Sequence, residues 1–114
     1  MKPHLLALAA CVAASTAAHA QPKEEWPARA IRIVVAFPAG SPGDTAARIV
    51  ADAVGQALKQ PLIVENRPGA GGNIGADAVA KATDGHTIGV IGNGPLTSSK
   101  FLYAKLPYDP SSDF

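Results

Sequence analysis

Residues 30–44, AIRIVVAFPAGSPGD, decide the fold of this chain. Residues 30–37 are almost all apolar and rich in β-branched side chains, a pattern typical of a strand buried on both faces of a parallel sheet. Residues 38–43 contain only Pro, Ala, Gly and Ser, a composition that predicts a loop. Asp44 follows at the position of a helix N-cap, so the stretch predicts a strand, a loop and a helix start.

Apolar side chains recur at helical spacing after this loop and predict a helix over Thr45–Lys59, which Pro61 ends. Its predicted apolar face consists of Ala46, Ile49, Val50, Ala53, Val54, Ala57 and Leu58. The same criteria predict a strand at 62–65, a helix at about 73–82, a strand at 87–91 and a short helix at 98–106.

The order β-α-β-α-β predicts an α/β fold, in which right-handed crossovers build a parallel sheet with flanking helices. We expect the strand order 2-1-3. Ligands in such sheets bind at the carboxyl ends of the strands, beside the first strand. Two segments lie at those ends, Phe37–Asp44 and Gly92–Thr97. Both are rich in Gly and Pro.

The composition excludes several classes of protein. A chain of 114 residues holds one domain at most. Ten Lys and Arg against nine Asp and Glu give a near-neutral chain, which argues against a nucleic-acid binder. The 47% hydrophobic content argues against a disordered tail. A single Cys cannot form a disulfide within the chain.

Met1–Ala20 is predicted to be a secretory signal peptide. A short basic region precedes an apolar run at 5–14, and Ala-His-Ala at 18–20 is a small-x-small cleavage site. The run is shorter than the roughly 20 residues that span a bilayer, which disfavours a membrane anchor. Leu8–Cys11 resembles a lipobox, an alternative in which Cys11 carries lipid. The apolar run continues past Cys11, which favours the uncut signal region over lipidation.

The first loop has the groups that bind an anion. The backbone N–H groups of Gly40, Ser41, Gly43 and Asp44 and the hydroxyls of Ser41 and Thr45 lie at the positive end of the predicted helix. Such an end attracts a carboxylate or a phosphate. The alternative is an ordinary helix start, in which Asp44 is a cap and not a catalyst.

The glycine-rich stretch Gly69–Gly75, GAGGNIG, does not fit a nucleotide-binding motif. G-x-G-x-x-G beginning at Gly69 requires Gly at position 74, where Ile74 stands, and no Gly-Lys-Ser/Thr follows. We interpret it as a tight turn with close helix–strand packing. Arg67 before it either pairs a substrate carboxylate or locks the turn.

We predict neither catalytic nor metal-binding residues. His86 is the only His or Cys after the signal region, whereas a metal site needs several ligands. No serine elbow, acid pair or cysteine nucleophile is evident. The chain is therefore not expected to be an enzyme, and no cofactor is expected.

Several segments carry a family resemblance. The most specific is ENRPGAGGNIG at 65–75, and the others are WP at 26–27, IRIVVAFPAG at 31–40, DGHT at 84–87 and LPYDP with a later DF at 106–114. Together they resemble the Bug (TctC-like) family of periplasmic receptors of tripartite tricarboxylate transporters. The resemblance implies a periplasmic, two-lobed α/β clamshell that closes on a small carboxylate and delivers it to membrane subunits of a transporter.

In that family, loops at the strand ends of the first lobe hold one ligand carboxylate through backbone donors and ordered water. Carried over by position, the candidate ligand-binding residues are Phe37, Pro38, Ala39, Gly40, Ser41, Gly43, Asp44, Thr45, Asn93 and Gly94. Ser41 departs from the pattern, since members often have Gly there, and His86 stands where Tyr is usual. No metal and no nucleic acid is implied as a partner.

Family members continue far beyond the segment that ends at Phe114. We therefore expect residues 21–114 to be the N-terminal part of the first lobe, with the second lobe absent, and expect this chain alone not to bind a carboxylate tightly. Two alternatives remain open: a non-functional fragment, and an exported nucleotide-binding α/β enzyme of unknown reaction, against which the missing phosphate-loop spacing counts.

Overall fold

A computed structural model describes residues 25–114, and its centre is a parallel three-stranded sheet. The strands are β1 (Ile31–Val35), β2 (Leu62–Asn66) and β3 (Thr87–Val90), in the order β2-β1-β3. The predicted α/β class, parallel pairing and strand order are therefore confirmed. The predicted signal peptide, Met1–Ala20, lies outside the described residues.

The central strand is buried on both faces, as its apolar composition predicted. Ile33 and Val35 point to one face and form a core with Ala47 and Ala51, while Val34 points to the other face and is also fully buried. Pairing on both sides uses the hydrogen-bonding groups of β1 along its length. The sheet is thereby built around a strand whose apolar side chains are all buried.

Helix α1 (Pro42–Leu58) begins earlier than Thr45, because Ser41 and not Asp44 is its N-cap. Ser41 has extended backbone angles, and its Oγ accepts the N–H of Asp44 at 3.3 Å. Pro42 then occupies the first helical position, where its missing N–H costs nothing. The prediction that Asp44 is the cap was wrong: Asp44 lies inside the first turn of the helix.

The predicted apolar face of α1 was also wrong in part. Ala47 and Ala51 contact the sheet, whereas Ile49 is 66% exposed and Val50 is 53% exposed. The apolar positions cover a wider arc than this sheet can bury. The small Ala side chains let the helix approach β1 and β2, and the row that includes Val50 is left beside Ile88 of β3.

Helix α2 (Asn73–Ala80) covers the opposite face over β1 and β3, after a 3-10 turn at Ala70–Gly72. A Cβ on Gly75 would lie 2.7 Å from the Cβ of Ala36, so only Gly permits this approach. The predicted tight turn and close helix–strand packing are confirmed. Within residues 25–114, no helix combines the length and apolar character that crossing a membrane requires.

The segment after β3 differs from the prediction. Asn93–Leu96 forms a short helix, α3, where a loop was expected, and the helix predicted at 98–106 is only α4 (Ser99–Leu102). Phe101 does not anchor α4, because its side chain is 85% exposed. Tyr108 anchors this part of the chain instead, and its side chain is buried.

Candidate functional site

The carboxyl ends of the parallel strands lie at one edge of the sheet. There the Phe37 ring lies between the loop that follows β1 and the segment that follows β3, called the third loop below. A Cβ on Gly43 would lie 2.8 Å from Cδ2 of Phe37, and a Cβ on Gly92 would lie 3.3 Å from its Cζ. The ring therefore packs between two glycines, one at the start of α1 and one just before α3. The structure brings together the two segments that the sequence singled out.

Three backbone donors of the first loop are used within the loop itself. Gly40 N–H donates to Oδ2 of Asp44 at 2.8 Å, Ser41 N–H donates to the carbonyl of Pro38 at 3.2 Å, and Asp44 N–H donates to Ser41 Oγ. In the part of the chain that the structure describes, the N–H groups of Ala39 and Gly43 have no protein acceptor. These two N–H groups are therefore the candidate ligand donors of the loop.

The side chains around these two donors are small or polar. Pro38, Ala39 and Thr45 are exposed, and Ser41 is half-buried. The Ser41 oxygen accepts the Asp44 N–H, which leaves its own proton for another acceptor. At this edge the helix α1 also presents the positive end of its dipole.

Asp44 organises the loop from inside. Its side chain is only 3% exposed. Its carboxylate accepts from Gly40 N–H, from Arg48 Nε at 3.1 Å and from Asn66 Nδ2 at 2.8 Å. The hydrogen bond from Arg48, followed by those from Gly40 and Asn66, lowers the pKa of Asp44 to about 2. The carboxylate is therefore ionised, neutralised by Arg48 and fully occupied.

Asn66 is a residue of this edge that the sequence analysis did not single out. It ends β2, and its Nδ2 donates to the carbonyl of Phe37 at 3.2 Å as well as to Asp44. Its Oδ1 accepts from Arg48 Nη2 at 3.1 Å. A sequence signal was present: the residue that ends the second strand of a parallel sheet lies at the same edge as the loop after the first strand.

The Arg67 guanidinium pairs with a carboxylate two residues before it. Its Nε lies 2.6 Å from Oε1 of Glu65, and its backbone N–H donates to the carbonyl of Val35. This hydrogen bond from Arg67 is the largest cause that lowers the pKa of Glu65. Arg67 is thus engaged with its own strand.

The third loop lies beside the first but presents fewer groups. Asn93 is exposed and Gly94 is half-buried, both in the first turn of α3. Pro95 behind them is buried, and its carbonyl accepts from the Tyr108 hydroxyl at 2.9 Å.

His86 lies near the opposite edge of the sheet, just before β3. Its ring packs against Trp26 with 5.9 Å between centroids, and its backbone N–H donates to Asp84. Trp26 Nε1 in turn donates to the carbonyl of Gly85. Among residues 25–114, no group of three or more His, Cys, Asp and Glu is placed to hold a metal ion.

Comparison with known proteins places this geometry in a family. The model of the tripartite tricarboxylate transporter family receptor (TctC) matches residues 46–114. A UPF0065 protein of Bordetella bronchiseptica is 45% identical over 114 residues, which cover 99% of this chain and 32% of that relative.

Solved structures give the same result. The periplasmic binding protein BugD superposes with a TM-score of 0.72 at 38% identity, over 78% of this chain and 30% of BugD. MatC from Rhodopseudomonas palustris, with bound malate, gives 0.70 at 41% identity, over 78% and 31%. An R. palustris protein with adipate gives 0.71 at 34% identity, over 76% and 29%.

This chain spans about a third of the length of these relatives, and what it matches is their N-terminal portion. The sheet order, the strand-end loops and the matches in sequence and structure agree. The chain belongs to the TctC (Bug) family of receptors.

Proposed function

We propose that this protein is a periplasmic receptor that captures a small carboxylate at the edge formed by Phe37–Thr45 and Asn93–Gly94. The observation that carries the proposal is the pair of unused N–H groups on Ala39 and Gly43, at the positive end of α1 and next to the Ser41 hydroxyl. A carboxylate has two acceptor oxygens, so it suits adjacent donors of this kind.

The charge around this edge favours an anion. The one buried carboxylate, Asp44, is paired with Arg48 and adds little net negative charge. The dipole of the 17-residue helix α1 then contributes a partial positive charge at the loop. Phe37 supplies an apolar wall between the two segments, which suits the carbon skeleton of an organic acid.

The comparisons support the ligand class. Two relatives have malate and adipate in their solved structures, and both molecules are dicarboxylates. We infer that the first lobe binds one carboxylate end through the first loop and that a second lobe, as the family resemblance implies, selects the rest. Membrane subunits of a tripartite transporter are the proposed recipients of the ligand.

Calorimetric titration tests the proposal. The protein produced from its complete reading frame, without the predicted signal peptide, is titrated with malate, adipate and succinamide. We expect a dissociation constant in the range of about 1 μM for a dicarboxylate and no heat with the uncharged diamide. Absence of binding to any di- or tricarboxylate contradicts the proposal.

A further inference from the structure

We propose that Asn66 is a positioning residue, which holds the Phe37–Asp44 loop in the conformation that presents its free N–H groups to the ligand. The inference rests on the proposed function and assigns a role to the ENRPGAGGNIG motif, which the ligand contacts proposed above do not explain. Asn66 is the second residue of that motif and the last residue of β2.

The contacts of Asn66 reach both ends of the loop. Nδ2 donates to the carbonyl of Phe37, where the loop begins, and to Oδ1 of Asp44, where it ends. These bonds measure 3.2 Å and 2.8 Å. One amide group thus fixes the distance between the two ends, and β2 carries that amide as part of a paired strand.

Arg48 completes the arrangement from the helix side. Its Nη2 lies 3.1 Å from Oδ1 of Asn66 and 3.1 Å from Oδ1 of Asp44. Asp44 in turn accepts the N–H of Gly40 in the middle of the loop. Asn66, Arg48 and Asp44 therefore form a closed network, and the backbone of the loop is one of its members.

The chemistry of this position requires an amide. Asn66 donates two hydrogen bonds and accepts one, and no other side chain of the same length does both. Asp at this position has the same shape but no donor, and its charge would face the buried Asp44 carboxylate. The loop would then lose its link to β2, and the free N–H groups would no longer be held in one orientation.

The test compares Asn66→Asp with the wild type in the protein from the complete reading frame. Malate and adipate affinities are measured by calorimetry, and hydrogen exchange of the Gly40 amide is measured by NMR. We expect binding at least about tenfold weaker and faster exchange at Gly40, well below the melting temperature. Arg48→Gln, at a half-exposed position, is a second variant if Asn66→Asp fails to fold.

Glu65→Gln is the matched control, because Glu65 is adjacent on β2 but points to the opposite face and pairs with Arg32 and Arg67. It should leave the malate and adipate affinities and the exchange rate of the Gly40 amide within about twofold of the wild type. Binding by Asn66→Asp equal to wild type, or an unchanged Gly40 amide, overturns the positioning role and leaves the proposed function standing. If the wild type binds neither acid, the proposed function fails and the inference fails with it.

Discussion

The hydroxyl of Tyr108 lies 2.9 Å from the carbonyl oxygen of Pro95 and 2.9 Å from the side-chain amide of Asn73. A phenol has one proton to donate. Asn73 Oδ1 and the Pro95 carbonyl oxygen share this proton, and both acceptors depend on the phenol. Tyr108 thus ties the end of the described chain to both α2 and α3.

The Tyr108 hydroxyl is therefore expected to stabilise the fold. Tyr108→Phe should lower the free energy of unfolding by about 1–3 kcal/mol, because two buried polar groups lose their partner. The edge-to-face contact of ring 108 with Phe114 is kept. Tyr103→Phe is the control: its hydroxyl bond to the carbonyl of Ala70 is exposed, so its loss should be small. Equal decreases in the free energy of unfolding for Tyr108→Phe and Tyr103→Phe, measured in urea, would contradict a stabilising role of the Tyr108 hydroxyl.

The buried Asp44 carboxylate predicts a specific sensitivity to acid. Its pKa is lowered from 3.8 to about 2 in the folded state, chiefly by Arg48. A depressed pKa stabilises the fold at pH values above 3.8, and this contribution is lost as the pH falls toward 2. Asp44→Asn should therefore lower the free energy of unfolding at pH 7. As the pH falls toward 2, this free energy should then decline less steeply than in the wild type.

The measurement for Asp44 is denaturant unfolding at several pH values. Asp52→Asn removes an exposed carboxylate from the same helix and is the control. Glu65, Asp84 and Asp109 also have lowered pKa values, but they are present in every variant and cancel in the comparison. If the free energy of unfolding of Asp44→Asn declines with falling pH as steeply as that of the wild type, Asp44 is not the group responsible for the acid sensitivity.

The close contact of α2 with β1 predicts a steric effect at Gly75. In Gly75→Ala the new Cβ would lie 2.7 Å from the Ala36 Cβ and 3.0 Å from the Arg67 carbonyl oxygen. We expect a loss of about 1–3 kcal/mol, as in other overpacked sites. The double variant Ala36→Gly, Gly75→Ala should recover part of it. Gly94→Ala should cost little, because its Cβ would meet only the Gly71 carbonyl oxygen, at an ordinary contact distance of 4.0 Å. Thermal melts distinguish these outcomes.

The uncovered side of α1 predicts exposed apolar surface. Val50 lines an apolar groove of about 170 Å³ that runs between α1 and Ile88 of β3, and Ile49 is exposed on the same helix. Residues 21–114, purified without the predicted signal peptide, should bind an apolar fluorescent dye in their folded state. The double variant Ile49→Lys, Val50→Ser should reduce dye fluorescence and leave the melting temperature nearly unchanged. Dye binding that persists in this variant would assign the signal to another surface.

Some elements of the fold could be predicted from the sequence and others could not, for physical reasons. β1 was clear because a strand buried on both faces is apolar at nearly every position. The buried side of α1 was not, because its apolar positions cover more than one face and only the tertiary contacts select Ala47 and Ala51. Helices α3 and α4 are single turns held by tertiary contacts such as that of Tyr108, and they have little periodicity of their own.

The same distinction applies to the candidate site. The loop before α1 and its place at the strand ends were predictable from Gly and Pro content and from the rule for parallel sheets. The role of Asp44 was not predictable. An N-cap and an acidic residue of the first turn lie only a few positions apart, and Ser41 can also supply the capping oxygen. Asn66 was missed because its partners are far away in sequence and become neighbours only through the β1–β2 pairing.

Ser41 has two roles that substitution can separate. As N-cap of α1 it accepts the Asp44 N–H, and as a candidate ligand residue it offers its own proton. Ser41→Ala should cost about 1 kcal/mol of stability, whereas Ser41→Gly should cost only a few tenths, because Gly is a tolerated cap. If the hydroxyl also contacts the ligand, both variants weaken dicarboxylate binding by the same factor despite their different stabilities. Affinity that instead follows stability, with Ser41→Gly binding like the wild type, would assign Ser41 to the cap alone.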